Sequence, residues 1–101
     1  MRKALSAAVA LFLLPLSLVS AASYTGEKLA KNAKVTIQQA EQIALKIRPG
    51  KITDRELERE KGGSGLRYSF DIRIKSVTYE VGVDAQTGAI LENGREGKNP
   101  D

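Results

Sequence analysis

The chain has 101 residues, with 16 Lys and Arg against 12 Asp and Glu, and neither cysteine nor histidine. Those absences exclude disulfide staples, c-type haem attachment, the usual zinc sites, and nucleophilic catalysis by Ser-His-Asp or Cys-His. The formal charge is +4, and the +2 that remains without Arg2 and Lys3, spread over mixed-sign sequence, describes a solvated surface and not a nucleic-acid footprint.

Met1-Arg2-Lys3 is a short basic region, and Ala4 to Val19 is an apolar run broken only by Ser6, Pro15 and Ser17. Small residues follow, so that cleavage after Ala21 places Val19 and Ala21 at −3 and −1, and cleavage after Ala22 places Ser20 and Ala22 there. The pattern predicts a cleavable signal peptide over residues 1–21 and a periplasmic or secreted protein. A membrane-spanning helix needs about 20 apolar residues. The run here is about 16 residues long and contains a proline, so no stable membrane anchor is expected after cleavage. No cysteine follows it, which excludes a lipoprotein. About 80 residues remain, enough for one domain with a small core. Loss of Arg2 and Lys3 leaves 14 basic against 12 acidic residues, close to balance.

Residues 22–34 are polar, contain Gly26, and show no clear apolar period; they read as a flexible N-terminal arm. Thr36 to Ile47 reads as a helix. Thr36 and Gln39 have the spacing of a capping box, and Ile37, Ala40, Ile43, Ala44 and Ile47 form one apolar stripe. Arg48-Pro49-Gly50 ends it, because the residue before proline is pushed out of the α region. Lys51 to Glu60 is ambiguous. Its alternating charges fit an exposed helix, but its only apolar residues are Ile52 and Leu57, too few for a docking stripe. A charged edge strand accommodates the segment better.

Gly62-Gly63-Ser64-Gly65 reads as a turn. Beyond it lie two alternating runs separated by two residues. Leu66, Tyr68, Phe70, Ile72 and Ile74 share one face of the first, and Val77, Tyr79, Val81 and Val83 share one face of the second. A hairpin closing on Lys75-Ser76 sets Ile74 opposite Val77, Ile72 opposite Tyr79, Phe70 opposite Val81 and Tyr68 opposite Val83. Every apolar residue then falls on the same face, which fixes the register. The same register opposes Asp71 to Glu80 on the other face. Lys75-Ser76 is a poor match to the Asn-Gly turn, so a longer or bulged connection is open, with Gly82 a candidate bulge. Asp84 to Gly88 reads as a turn, Ala89-Ile90-Leu91 as a short final strand, and residues 93–101 as a disordered tail.

The order of parts resembles the PepSY domain family over Val35 to Leu91. The resemblance opens on Val35 to Leu45 and continues through Pro49 to Ile52, Glu56 to Gly63 and Tyr68 to Ile72. Its most specific piece is Tyr79-Glu80-Val81-Gly82-Val83-Asp84-Ala85-Gln86-Thr87-Gly88. It implies a domain at residues 35–92 of α+β class, with one amphipathic helix packed on a small antiparallel sheet of three to four strands. It also implies that Lys51–Glu60 is a strand. PepSY domains occur in the propeptides of secreted thermolysin-type metallopeptidases, where they are associated with inhibition, and as small exported single-domain proteins. The expected role is therefore a protein-binding module that modulates a secreted or periplasmic metallopeptidase. The alternative is an envelope accessory or sensor domain unrelated to peptidases.

The family contributes no catalytic residue, and none is assigned here; no cofactor, metal ligand or nucleic-acid partner is expected, and the protein reads as a non-enzyme. Glu56, Glu58 and Glu60 would share one face of a strand and offer oxygen ligands to a hard cation, but a solvated charged edge interleaved with Arg55, Arg59 and Lys61 accounts for them better. Asp84 and Thr87 lack the acidic spacing of an EF-hand, and Asp84 suits a turn acceptor better. Tyr68 and Tyr79 belong to the apolar face. The contact surface is expected at the Lys51–Lys61 strand edge and the polar arm, since an exposed edge can recruit an extended segment.

Overall fold

The computed structural model describes residues 23–97. The expected signal peptide lies outside the described residues, as do residues 98–101 of the expected tail. Thr36 caps the helix α1 (Ile37–Ile47) through a complete capping box: its hydroxyl accepts from the Gln39 N–H at 3.1 Å, and the Gln39 side chain accepts from the Thr36 N–H at 2.9 Å. Ile37, Ala40 and Ala44 are buried, and the small alanines let the helix approach the sheet closely.

Four strands follow: β1 (Lys51–Arg59), β2 (Leu66–Ile74), β3 (Val77–Asp84) and β4 (Ile90–Arg95). They form one antiparallel sheet in the order β1-β2-β3-β4, and α1 packs across β2 and β3. The architecture is the expected α+β, one helix on one face of a four-stranded sheet. The β2–β3 register is the one that the alternation predicts, from Ile74 opposite Val77 to Tyr68 opposite Val83. Tyr68, Phe70, Ile72, Val81 and Val83 are at most 1% exposed and form the floor under the helix. The rings of Tyr68 and Phe70 stack with centroids 6.4 Å apart. Burial of each such side chain stabilises by about 1.5–3 kcal/mol. The Asp71–Glu80 opposition on the other face costs less, at most about 1 kcal/mol.

The hairpin closes on Lys75-Ser76 without an added residue. Lys75 adopts a φ of 60°, the left-handed region usually left to glycine, at the first central position of the turn. The register, fixed by apolar burial, holds it there. Gly82 does border a register shift, but in its pairing with β4, between Gly82 and Val83.

Two segments differ from expectation. Residues 23–34 are not free: Glu27–Asn32 forms a 3-10 helix against β1, and Thr25 makes a parallel bridge to Glu56. The Leu57 N–H donates to the Thr25 carbonyl at 2.9 Å, so part of the outer edge of β1 is already paired. No apolar period marks this docking; Tyr24, Leu29 and Ala33 pack against the core, and Gly26 at φ 83° allows the close backbone approach, since a Cβ there would collide with the Leu57 carbonyl. At the other end, β4 runs to Arg95, past the Asn93 at which the tail was expected to begin. Ladder pairing to Val81 and Tyr79 carries it, and such pairing does not require apolar side chains.

Gly26→Ala is expected to detach the arm from β1 without unfolding the sheet. Amide hydrogen exchange should speed up at Leu57 while Phe70 and Val81 stay protected. Unchanged protection at Leu57 would show that the arm is not held by this contact.

Candidate functional site

Asp84 is the most heavily coordinated side chain and only 1% exposed. Its carboxylate accepts from the Ser64 N–H at 2.7 Å, the Ser64 hydroxyl at 2.8 Å, the Gln86 N–H at 2.8 Å and the Thr87 N–H at 3.2 Å. Burial pushes its pKa up, but these hydrogen bonds overbalance it and hold the carboxyl at about 2. The group is thus a permanent anion spent on structure. It ties the β1–β2 loop to the β3–β4 turn, as a turn acceptor should. Gly63 at φ 56° allows the loop to close, since a Cβ there would strike the Asp84 carboxylate. Thr87 contributes its N–H and not a ligand oxygen.

The face of the sheet away from α1 is strongly acidic. Strand alternation and register put Asp54, Glu56 and Glu58 of β1 there, with Asp71 of β2, Glu80 of β3 and Glu92 of β4. Glu96 joins them, its N–H continuing the ladder to the Thr78 carbonyl. The cations that strand register puts on this face are Lys51, Arg67 and Arg73. Arg67 bonds Glu92 at 3.4 Å and the Lys61 carbonyl at 2.9 Å, and Arg73 bonds the Lys75 carbonyl at 3.2 Å. Of the three glutamates singled out in the sequence, Glu56 and Glu58 share this face and Glu60 lies past the end of β1. Glu58 accepts from the Ser69 hydroxyl at 2.8 Å.

One oxygen from each of Asp71, Glu80 and Glu96 falls within a 4.8 Å span, a donor set of the hard-oxygen kind. The crowding raises the affinity for protons. Glu80 is pushed up from 4.5 to about 7, first by burial and then by Glu92, Asp71, Glu96 and Glu58. Asp71 is raised by burial, Glu96 and Asp54, and Glu56 by burial and its neighbours Glu58 and Asp54. The sequence pattern exposed the polar residues of β2 and β3 but missed this concentration. It needs the outer strands as well, and the available signal was the period of two in Asp54-x-Glu56-x-Glu58.

On the helix side, a groove of about 430 Å³ runs between α1 and the β3–β4 turn, lined by Val35, Gln39, Gln42, Ile43, Lys46, Thr87 and Gly88. Lys46 is its one ionisable lining residue, so the groove holds no acid–base pair. Tyr68 is fully inside the core, its hydroxyl donating to the Val35 carbonyl at 2.6 Å and pushed up to about 12 by burial. Arg48 covers Tyr79, 3.9 Å above its ring. Arg55, on the helix side of β1, pairs with Glu41 of α1 at 2.7 Å, a link between elements that no local pattern marks.

The family model described as peptidase propeptide and YPEB domain, PepSY, matches residues 34–93. That span holds the whole helix and all but the last two residues of the sheet, and the chain belongs to the PepSY family. The family is often linked to peptidase propeptides or their regulation, and its domains are generally non-catalytic. No curated protein and no solved structure matches the chain.

Asp84→Ala leaves buried donors from Ser64, Gln86 and Thr87 unpaired and should destabilise the fold by about 3 kcal/mol in urea titrations; a loss under about 1 kcal/mol would contradict the central role of this carboxylate. Stability should also depend on pH in two opposite senses. Asp84, lowered in the fold, stabilises above its ordinary value of 3.8 and loses that contribution as pH falls towards about 2. Glu80, raised in the fold, stabilises most below its ordinary value of 4.5 and loses that contribution as pH rises through about 7. Thermal melts should therefore peak in the mildly acidic range, and Glu80→Gln should flatten the decline between pH 5 and 8. A decline unchanged by that substitution would place the repulsion elsewhere.

Proposed function

We propose that this protein is an exported protein-binding module that restrains a secreted or periplasmic metallopeptidase. The observation that carries the reading is the family match: a propeptide-type domain spans residues 34–93 and accounts for nearly all of the described fold. The chemistry of the surface supports action by contact. The buried carboxylate, Asp84, is consumed by structural hydrogen bonds, and the groove beside α1 offers one ionisable side chain. Neither arrangement supplies a nucleophile with a base. Export is supported by the basic, apolar and small-residue succession over Met1 to Ala22.

The test is to add the chain starting at Ala22 to the thermolysin-type metallopeptidases secreted by the organism that makes it. Dose-dependent loss of peptidase activity, saturating at one module per enzyme, is expected. If the chain neither binds nor inhibits any of these enzymes, the reading is wrong.

A further inference from the structure

The two edges of the sheet are not equivalent. The edge of β1 is covered by the Thr25 bridge and the 3-10 helix Glu27–Asn32. Among the described residues the edge of β4 carries no neighbouring strand, and its own residues are exposed or half-buried along their whole length. The Glu96 N–H turns inward to Thr78, so by alternation Gly94 and Glu92 also pair inward, while Asn93 and Arg95 direct their N–H and C=O groups to the open edge. That leaves a short ladder able to accept a fifth strand.

The two faces beside this edge differ in chemistry. On the helix side, α1 packs on β2 and β3, and its C-terminal end reaches β4. Ile43 lies within contact range of Gly88, and Arg48 Nε donates to the Asn93 side chain at 2.7 Å. Ile47 falls between those points on the helix, and Ile90 on the strand. They are the two large apolar side chains left exposed among the described residues, each 38%. The charges on this side are Lys46, Arg48 and Arg95. None has a carboxylate partner: the ion pairs among the described residues are Arg55–Glu41 and Arg67–Glu92. On the opposite side of the same edge lie Glu92 and Glu96, backed by Glu80 and Asp71.

We propose that the β4 edge binds an extended protein segment of alternating character as a fifth strand. Its residues facing α1 are apolar or acidic, meeting Ile47, Ile90, Lys46, Arg48 and Arg95, and its residues facing the other way are Lys or Arg, meeting Glu92, Glu96 and Glu80. A strand presents successive side chains to opposite faces, so charge complementarity on both faces at once requires this alternation. The inference rests on the protein-binding reading and moves the contact from the β1 edge, where the arm already sits, to the β4 edge.

The test uses synthetic peptides and no peptidase. Acetyl-Lys-Val-Lys-Glu-Lys-Val-Lys-amide is titrated into isotope-labelled protein, beside a non-alternating peptide of the same composition and a charge-exchanged Glu-Val-Glu-Lys-Glu-Val-Glu peptide. The alternating peptide should shift amide signals of residues 90–96 and 42–48, protect the Asn93 and Arg95 amides from exchange, and bind at least tenfold more tightly than either control. Arg95→Pro, which deletes an edge donor, should weaken it at least tenfold, while Arg95→Lys retains it. If Arg95→Pro does not fold, the exchange protection in the unaltered chain still decides the point. Equal binding of the non-alternating peptide, or shifts confined to residues 51–61, overturns the proposal. Peptide binding without peptidase inhibition would sink only the peptidase reading. Inhibition with an unaffected β4 edge would sink only this one.

Discussion

The buried carboxylate of Asp84 is the junction on which the rest of the fold depends. It gathers Ser64 from the β1–β2 loop and Gln86 and Thr87 from its own turn. The backbone around it does the same for the other elements. The Ala85 carbonyl accepts from the Lys34 and Val35 N–H groups, so the chain entering α1 is fastened to the turn leaving β3. The Gln86 side chain donates to the Asn32 carbonyl and accepts from the Lys34 N–H. Arm, helix, hairpin loop and final strand thus meet within a few residues. An anion taken from water needs this many donors; with fewer, burial would dominate and the group would protonate.

That junction also explains why a module with so few large apolar residues holds one arrangement. The core is a single layer between α1 and the β2–β3 floor, and disulfides are unavailable to tighten it. Apolar burial is non-directional and would tolerate a helix sliding along the sheet. Directional contacts at both ends oppose such sliding. At the N-terminus of α1 the Tyr68 hydroxyl holds the Val35 carbonyl; midway along it Glu41 holds Arg55, and at its C-terminus Arg48 holds Asn93 and covers Tyr79.

What the sequence disclosed follows the range of each interaction. Alternation in Leu66–Ile74 and Val77–Val83 contains the register, because a slip by one residue would expose every apolar side chain. The capping box of α1 spans four residues and is equally readable. Lys51–Arg59 was ambiguous because its charged residues suit a helix as well as a strand. Pairing with β2 decides the matter, through Leu57 against Tyr68 and Arg55 against Phe70. The docked arm was not readable, since its core contacts, Tyr24, Leu29 and Ala33, follow no regular period and its bridge to β1 is a backbone hydrogen bond; nor was the length of β4, which rests on ladder pairing without a side-chain pattern. The acidic face was only half visible for a related reason. Its carboxylates come from all four strands, and β4 enters through a register shift at Gly82–Val83.

The sheet's charge asymmetry has a consequence for how such a module meets other proteins. A carboxylate-rich face confers solubility and deters edge-to-edge association between identical copies, because like faces align when like sheets extend one another. The same arrangement favours a partner whose strand bears the opposite sign on that side. Repulsion against self and attraction for a complementary strand therefore come from one set of residues, Glu92, Glu96, Glu80 and Asp71. The crowding has a cost in the free protein, where Glu80 holds a proton to about pH 7. A cationic segment laid beside that face would lower the pKa of Glu80 and release the proton, so complex formation and deprotonation are linked, and binding tightens as pH rises through the same range in which the isolated fold loses stability.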